Sequence, residues 1–538
     1  MARSALMTLL RGLAAVHVEA DRRGVAVERV RSELALRRRD LLQGVGALAG
    51  AAVVAHDRPA LAAPKQSRIA IVGGGIAGLN AALYLDDAGY KSTVYEASSV
   101  VGGRMHSNTT TWANGQVSEW CGELIDSGHT AIQDLAKRFK LTLDDLQAAE
   151  PTGSTETYYF DGKYYPYSQA DKDFQPVYKV LDKQNTDAPF PTLYNSSTTA
   201  GRALDRMSLY AWIERYVPGG HASKFGQLLD VAYNIEYGRD TREQSSLNLV
   251  YLLYNTTDLN VFGASDERYH IRGGNDQLPR AIAKHLPAGT VQTGHRLTAI
   301  AKNDDGSLAL RFATSNGSVA VAVDRVILAI PFSVLRTLDY SNAGFDSLKK
   351  TAITNLGYGT NAKLQLQFSS RLWNEPHNPW PRSFGASYAD TGYQNTWDVT
   401  RAQPGRTGIL VDYTGGSIGA SFQPAAPYSD SSTAAVQEYA MRFLGQLEPV
   451  FPGITAEYTG AATLSVPALD PNLLGSYSCW LVGQYTSFSG YEGVRQGKIH
   501  FAGEHCSTSF QGFMEGGAEE GARAASEIVS DYEHGTFP

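Results

Sequence analysis

The chain is 538 residues long, 43% hydrophobic and 19% charged, with a formal net charge of −7 at pH 7. That is the balance of an ordinary globular protein with a large core spread over several domains, and it gives nucleic acid or an anionic membrane no electrostatic reason to bind. The three cysteines, Cys121, Cys479 and Cys506, are odd in number and form no C-x-x-C pair, which excludes a disulfide framework and a cysteine-held structural zinc.

The N-terminal region reads as a targeting segment. Arg37, Arg38 and Arg39 precede an uncharged run, Leu41 to Ala55, that is too short for a membrane span, and Ala60 and Ala62 fit a small-residue cleavage site. Twin arginines before a weakly apolar stretch resemble a Tat-type signal, which exports proteins already folded. On this reading residues 1–62 form a signal, the mature chain begins near Ala63, and the protein is periplasmic or secreted. The alternative is a basic amphipathic helix retained on a cytoplasmic protein.

A strand at Arg68–Val72 then runs into a glycine turn and a helix from about Ile76 to Ala88, and a second strand, KSTVYEA, carries Glu96 at its end. That is a β-α-β unit of the usual size. SGHTAIQDLAKRFKL, Ser127 to Leu141, has apolar residues at helical spacing. Residues from about 150 to 260 are helical, loop-rich and dense in tyrosine. HIRGGNDQLPRAIAKHL, His270 to Leu286, turns into another helix, and VQTGHRLTAIAKN, LALRFAT and DRVILAIP read as successive strands. Strands such as AKLQLQF and GILVDYTG alternate between about 345 and 465. The chain closes with the strand KIHFAG and a helix from about Gly512 to Tyr532. Without an internal repeat or a long linker, this order suggests two interleaved domains. One comprises 68–130, 270–345 and 465–530; the other comprises 131–269 and 346–464.

Two motifs carry chemistry. GGGIAG matches G-x-G-x-x-G at Gly73, Gly75 and Gly78, between an apolar strand and a helix, with Glu96 18 residues beyond Gly78. The glycines permit a tight turn and close approach to a pyrophosphate, the helix start offers free N–H groups to it, and the acid accepts bonds from ribose hydroxyls. An acid there disfavours the 2′-phosphate of NADP. Gly102, Gly103 and Arg104 follow in ASSVVGGRM, a second glycine pair with an anion-gripping guanidinium that a NAD-dependent dehydrogenase does not need. The other motif is FAGEHCSTSFQGFMEGGAEEGARAA at Phe501–Ala525, a further strand-turn-helix rich in small residues.

IVGGGIAGL, VYEASSVVGGRM and AGEHCSTSFQGFMEGGAEEGARAA together resemble the flavin-containing amine oxidase family, over about residues 68 to 530. That family includes monoamine, polyamine and L-amino acid oxidases. The resemblance implies an α/β fold (α+β overall), with a discontinuous Rossmann-like FAD-binding domain interleaved with a mixed-sheet and helical substrate-binding domain. It implies FAD as cofactor, held by Gly73, Gly75, Ile76, Ala77 and Gly78 at the phosphates and by Glu96 and Ala97 at the adenosine ribose. Gly103 and Arg104 would meet the diphosphate, Gly122, Glu123, Leu124 and Ile125 the isoalloxazine, and Leu297 the adenine through its backbone. Glu504 would meet the ribityl–phosphate region, and Gln511, Gly512, Phe513, Met514, Glu515 and Gly516 the flavin ring. Glu504 and Glu515 also read simply as acids favoured by a helix dipole.

Chemistry on a C–H beside nitrogen is done by the cofactor, so few catalytic side chains are needed. The strand AKLQLQF alone allows Lys363 to face solvent; the resemblance implies that it holds a water beside the flavin. Trp480 and Phe513 would be the aromatic pair flanking the substrate. Cys479 stands where some relatives bond the flavin covalently, although a buried free cysteine is also common.

The G-x-M-R arginine that grips a substrate carboxylate in L-amino acid oxidases is replaced here by Ile125 in Gly122-Glu123-Leu124-Ile125. Arg268 reads more readily as a surface ion pair than as its substitute, and Glu123 or Asp126 would suit a second cationic group on a basic substrate. The leading expectation is an L-amino acid oxidase using O2 and giving 2-oxo acid, ammonia and hydrogen peroxide. A monoamine or polyamine oxidase is the alternative within the family, and a non-catalytic FAD-binding scaffold the alternative outside it. Homo-oligomerisation is left open.

Overall fold

A computed structural model describes residues 67–254, 258–376 and 382–535. The export signal expected at 1–62 lies outside the described residues.

A five-stranded parallel sheet organises the nucleotide-binding half. Its order is Ile499–Phe501, Arg325–Leu328, Ile69–Val72, Ser92–Tyr95, Val291–Gln292. Strands buried on both faces of a parallel sheet read as continuous apolar runs, and IAIV is buried at all four positions. Alternate residues enter different cores. Ile69, Ile71 and Ile327 pack with the helices Ile76–Asp87 and Met514–His534. Ala70, Val72, Val326 and Leu328 face the opposite core, which is shared with a three-stranded antiparallel sheet, Arg296–Lys302, Leu308–Thr314 and Gly317–Val323. Across that layer Tyr95 stacks on Phe312 at 4.5 Å.

The two helices that open on the glycine turns are neighbours. A Cβ on Gly521 would overlap the carbonyl oxygen of Ala77, and Asn80 donates to the Ala518 carbonyl at 2.7 Å. Small residues in AEEGARAA thus let two backbones approach closely. This brings turns more than 400 residues apart in sequence to one end of the sheet, where ligands bind in doubly wound folds.

The other half is built on an eight-stranded mixed sheet that includes the neighbouring strands Tyr458–Ser465, Ala362–Phe368 and Gly408–Thr414. AKLQLQF alternates, but both faces are buried. Ala362, Leu364, Leu366 and Phe368 pack under the helix Ala434–Leu447. On the opposite face Gln365 donates to the Glu119 carbonyl and Gln367 to Gln116, so the polar face lies on the 113–123 segment and does not meet water. The tyrosine-rich region forms five helices, Tyr167–Asp187, Thr199–Asp205, Leu209–Tyr216, Lys224–Tyr237 and Leu247–Leu253. Thr198, Ser208 and Ser223 cap three of them by accepting from the N–H three residues on. Among the described residues, no helix is long and apolar enough to cross a membrane.

The helix anticipated over Ser127–Leu141 is shorter, Thr130–Arg138. The residues before it form a turn in which His129 Nδ1 accepts from the Asp126 N–H at 2.9 Å.

Candidate active site

A cavity of about 2290 Å³ runs between the two halves, from the first glycine turn to the tyrosine-rich helices. Its nucleotide end is shaped by backbone. Gly73 has φ +108°, and a Cβ there would stand 2.5 Å from the Ala329 carbonyl oxygen, so only glycine makes this turn. The helix that follows has Gly75 at its N-cap, no side-chain cap and no acid in its first turn. Its first N–H groups and dipole are therefore available to an anion. Gly75, Ile76 and Ala77 line the cavity; Gly78 packs behind, against Gly73.

Glu96 lies on the wall with its carboxylate accepting from the N–H groups of Gly74 at 2.6 Å and Ser98 at 2.7 Å, which ties the first turn to the second strand. Arg104 Nη1 donates to Glu504 Oε1 at 2.9 Å and to the Ser476 carbonyl at 3.0 Å. Glu504 also accepts from the Ser478 hydroxyl and the Gly512 N–H, so one buried carboxylate pins three separate segments. Burial pushes its carboxyl up, but the charge of Arg104 and the bonds from Ser478 and Arg104 outweigh that and hold it below the usual range.

Beside it, His505 is 1% exposed and neither ring nitrogen has a hydrogen-bond partner; Gln511 Nε2 is likewise unpartnered. Both residues line the cavity. Burial lowers the His505 pKa to about 4, so the ring is neutral and has one donor and one acceptor to offer. Buried polar atoms without partners are rare, and these suit the hydroxyls, phosphates or ring heteroatoms of a bound dinucleotide. Gly103, Gly122, Leu124, Gly512 and Met514 complete this wall. The donor set fits FAD.

Six of the residues expected at the cofactor stand off this wall. Gly78, Ala97, Ile125, Leu297, Glu515 and Gly516 do not line the cavity. Ile125 is buried and pairs through its backbone with Tyr269. The Leu297 side chain is buried in the core, opposite Phe312 in the three-stranded sheet. Glu515 accepts from the N–H groups of Ala131 at 2.8 Å and Ile132 at 2.9 Å. It caps the helix Thr130–Arg138 from another element, and burial raises its carboxyl to about 7. A first-turn acid was visible in the sequence, but not the helix start 384 residues away that it serves.

At the flavin end Lys363 is buried. Its Nζ donates to the Cys121 carbonyl at 2.7 Å and to Glu123 Oε2 at 2.8 Å, while Trp397 Nε1 donates to Glu123 Oε1 at 2.8 Å. Burial pushes the Glu123 carboxyl up, and the Lys363 charge and these bonds bring it below the usual range. Two of the three ammonium protons are thus committed. Burial also raises the Cys121 thiol to about 11, leaving it inert.

Phe513 lies on the wall, its ring 5.0 Å from that of His129. Trp480 touches the same cavity but is held in the helical core. Its ring packs on Tyr485 and Phe488 at 5.0 and 5.8 Å, and its carbonyl accepts from Ser245 and Asn248. The aromatic ring beside the C-terminal turn is Tyr477, within 3.5 Å of where a Gly512 Cβ would stand. Its hydroxyl meets that of Tyr413 at 3.0 Å, and Tyr413 packs edge-on to Trp397 at 5.1 Å. Tyr477, Tyr413 and Trp397 were not singled out by sequence. The signal available was GSYS, whose serines flank Tyr477 and contact Arg104 and Glu504. Cys479 is fully buried in the strand Ser478–Cys479, opposite Gly357, and is not on the cavity wall; burial raises its thiol to about 12. Covalent attachment of a flavin there has no geometric support.

Three Lys or Arg side chains line the described cavity, and each is paired with a wall carboxylate: Arg104 with Glu504, Lys363 with Glu123, and Arg401 with Glu150 at 3.0 Å. Arg268 is not on the wall and pairs with Asp145 at 2.7 Å. Among the described residues, no cluster of His, Cys, Asp or Glu could hold a metal.

Comparison with known proteins follows the same lines. Residues 76–529 match the family model of flavin containing amine oxidoreductases. An L-amino-acid oxidase of Siganus canaliculatus is 24% identical over 479 residues, covering 86% of this chain and 85% of that protein. Polyamine oxidase 2 of Arabidopsis thaliana is 22% identical over 486 residues, covering 85% of this chain and 87% of that protein. Among solved structures, a cyclohexylamine oxidase from Brevibacterium oxydans IH-35A superposes with a TM-score of 0.73 at 21% identity, over 87% of this chain and 100% of its own. At that identity the likeness is one of fold.

Proposed function

The chain belongs to the flavin-containing amine oxidoreductase family and binds FAD, and on that premise we propose that it is an oxidase of primary amines, converting amine, O2 and water to aldehyde, ammonia and hydrogen peroxide. The observation that carries this reading is the pairing of Lys363, Arg104 and Arg401 with carboxylates. No cation on the described wall is left over for a substrate carboxylate near the flavin end. Bound FAD supplies the acceptor for the hydride that leaves the carbon next to nitrogen, and O2 takes those electrons on.

The chain's own groups position and desolvate. Tyr477, Tyr413, Trp397 and Phe513 wall the slot with aromatic surface, which excludes water and favours an amine in its neutral, reactive form. Glu123 and the Cys121 carbonyl fix the Lys363 ammonium and leave one donor free to hold a water or an oxygen atom in that slot. His505 and Gln511 lend donors and an acceptor to the cofactor.

A second reading, an L-amino acid oxidase giving 2-oxo acid, is favoured by Arg401, a guanidinium 8% exposed on the wall that a substrate carboxylate would reach by displacing Glu150. Peroxide release from a panel of monoamines, diamines and L-amino acids separates the two. Turnover of amines lacking a carboxylate supports the first; turnover confined to amino acids, abolished by Arg401→Met, replaces it with the second.

A further inference from the structure

Away from the flavin end, the cavity wall carries Glu156, Glu236 and Glu267, contributed by a strand, by the last turn of the helix Lys224–Tyr237 and by a loop. Glu156 accepts from the Tyr158 hydroxyl. The carboxylates of Glu236 and Glu267 have no side-chain or backbone donor among the described groups. Tyr388 reaches the same wall from the eight-stranded sheet; it is 1% exposed, and its hydroxyl too has no hydrogen-bond partner. Tyr388 packs edge-on to Tyr158 at 5.7 Å, the tyrosine whose hydroxyl donates to Glu156, and Glu156, Glu267 and Glu236 all act on the Tyr388 hydroxyl electrostatically.

A polar group held away from bulk water without a partner is costly, and several carboxylates gathered on one wall are more so. Burial, together with their mutual repulsion and that of Asp126, pushes Glu267 up to about 8 and Glu236 well above the usual range. Arg401 opposes that shift at Glu267 but is itself paired with Glu150, so the glutamates outnumber the positive charge beside them.

The cluster is also tied to the reacting end. The Glu236 carbonyl accepts from the Tyr477 hydroxyl at 2.7 Å, and the Glu267 N–H donates to Asp126, three residues beyond Glu123. The backbone that carries the cluster is therefore anchored to the aromatic slot and to the Glu123 segment.

We infer that Glu236 and Glu267, with Glu156 and the Tyr388 hydroxyl, form a subsite for a terminal ammonium or guanidinium on the same molecule whose amine-bearing carbon is oxidised, so that the substrate is an amine with a second positive charge. This rests on the oxidase reading above. Two sources share that chemistry, an α,ω-diamine and a basic L-amino acid, and the test distinguishes them.

The test measures the Kd of the FAD-loaded full chain by anaerobic titration, following the visible flavin bands, for pentane-1,5-diamine against pentylamine and for L-lysine against L-norleucine. A charge-assisted contact predicts a Kd at least about tenfold lower for the dicationic member of a pair. Glu236→Gln and Glu267→Gln, made separately, are expected to bring the ratio toward one, chiefly by raising the dicationic Kd; damage to the fold would scale both. Discrimination in the diamine pair assigns the source to diamines, and discrimination only in the amino acid pair assigns it to basic amino acids. Ratios near one for both pairs in the unaltered chain, or ratios that neither variant changes, overturn the subsite. If ligands perturb the flavin bands with these ratios yet none reduces the flavin, the subsite stands and the oxidase reading falls.

Discussion

Glu123 Oε2 lies 2.8 Å from Lys363 Nζ, with the two side chains 6% and 8% exposed. A buried pair of this kind contributes little net stability over an apolar replacement, but breaking it strands a charge. Lys363→Met alone is expected to destabilise the fold by about 3 kcal/mol, and the double variant Lys363→Met, Glu123→Gln to recover most of that loss. Denaturant unfolding of both variants checks it. In rapid-mixing experiments Lys363→Met should retain FAD but reduce or reoxidise it more slowly. Unchanged rates in both directions would remove Lys363 from the chemistry.

The aromatic wall predicts different outcomes for two residues three positions apart. Tyr477→Leu should lower kcat/KM by an order of magnitude or more while the protein still holds flavin, because the ring borders the slot. Trp480→Leu, in the helical core against Tyr485 and Phe488, should cost about 3 kcal/mol of stability. Thermal melts and steady-state kinetics on both variants decide which ring flanks the substrate. Acid precipitation should release FAD into the supernatant, because Cys479 does not reach the cavity.

The close approach of the two motif helices makes Gly521 a test of the cradle. A side chain there meets the Ala77 carbonyl, so Gly521→Val should force the helices apart, at a cost of about 1–3 kcal/mol. It should also weaken FAD binding by displacing the helix start that faces the phosphates. Fluorescence titration of FAD measures the second effect.

His505 sets a pH dependence. Its folded pKa of about 4 lies below the ordinary 6.5, so the unfolded chain binds its proton first as pH falls. The stability it contributes is complete above pH 6.5 and is lost as pH falls toward 4. Measured against His505→Gln, the unfolding free energy of the FAD-free chain should climb between pH 4 and 6.5 and stay level above. A difference that is flat with pH contradicts a neutral, buried imidazole.

What the sequence discloses follows from how local each feature is. The turn at Gly73–Gly78 and the Arg104 segment are set by neighbours in sequence, and Gly73, Gly75, Ile76, Ala77, Gly103 and Arg104 stand on the cavity wall. Lys363 is ambiguous in AKLQLQF because alternation reports a polar face and not what covers it; the cover is the 113–123 segment, some 240 residues earlier. Tyr477 is hidden because GSYSCW belongs to a short irregular strand with no period to assign faces. Glu515 looks like a cofactor acid only while its partner helix is out of view. The acidic subsite draws Glu156, Glu236, Glu267 and Tyr388 from four distant segments, and no one stretch of sequence carries its signal.

The most direct test of the account is the visible spectrum of the purified, FAD-reconstituted chain during anaerobic addition of pentane-1,5-diamine. The account predicts a yellow protein whose flavin bands bleach on addition and return when O2 is admitted, with hydrogen peroxide formed. A protein that takes up no flavin, or flavin bands that amines and L-amino acids alike leave oxidised, would contradict it.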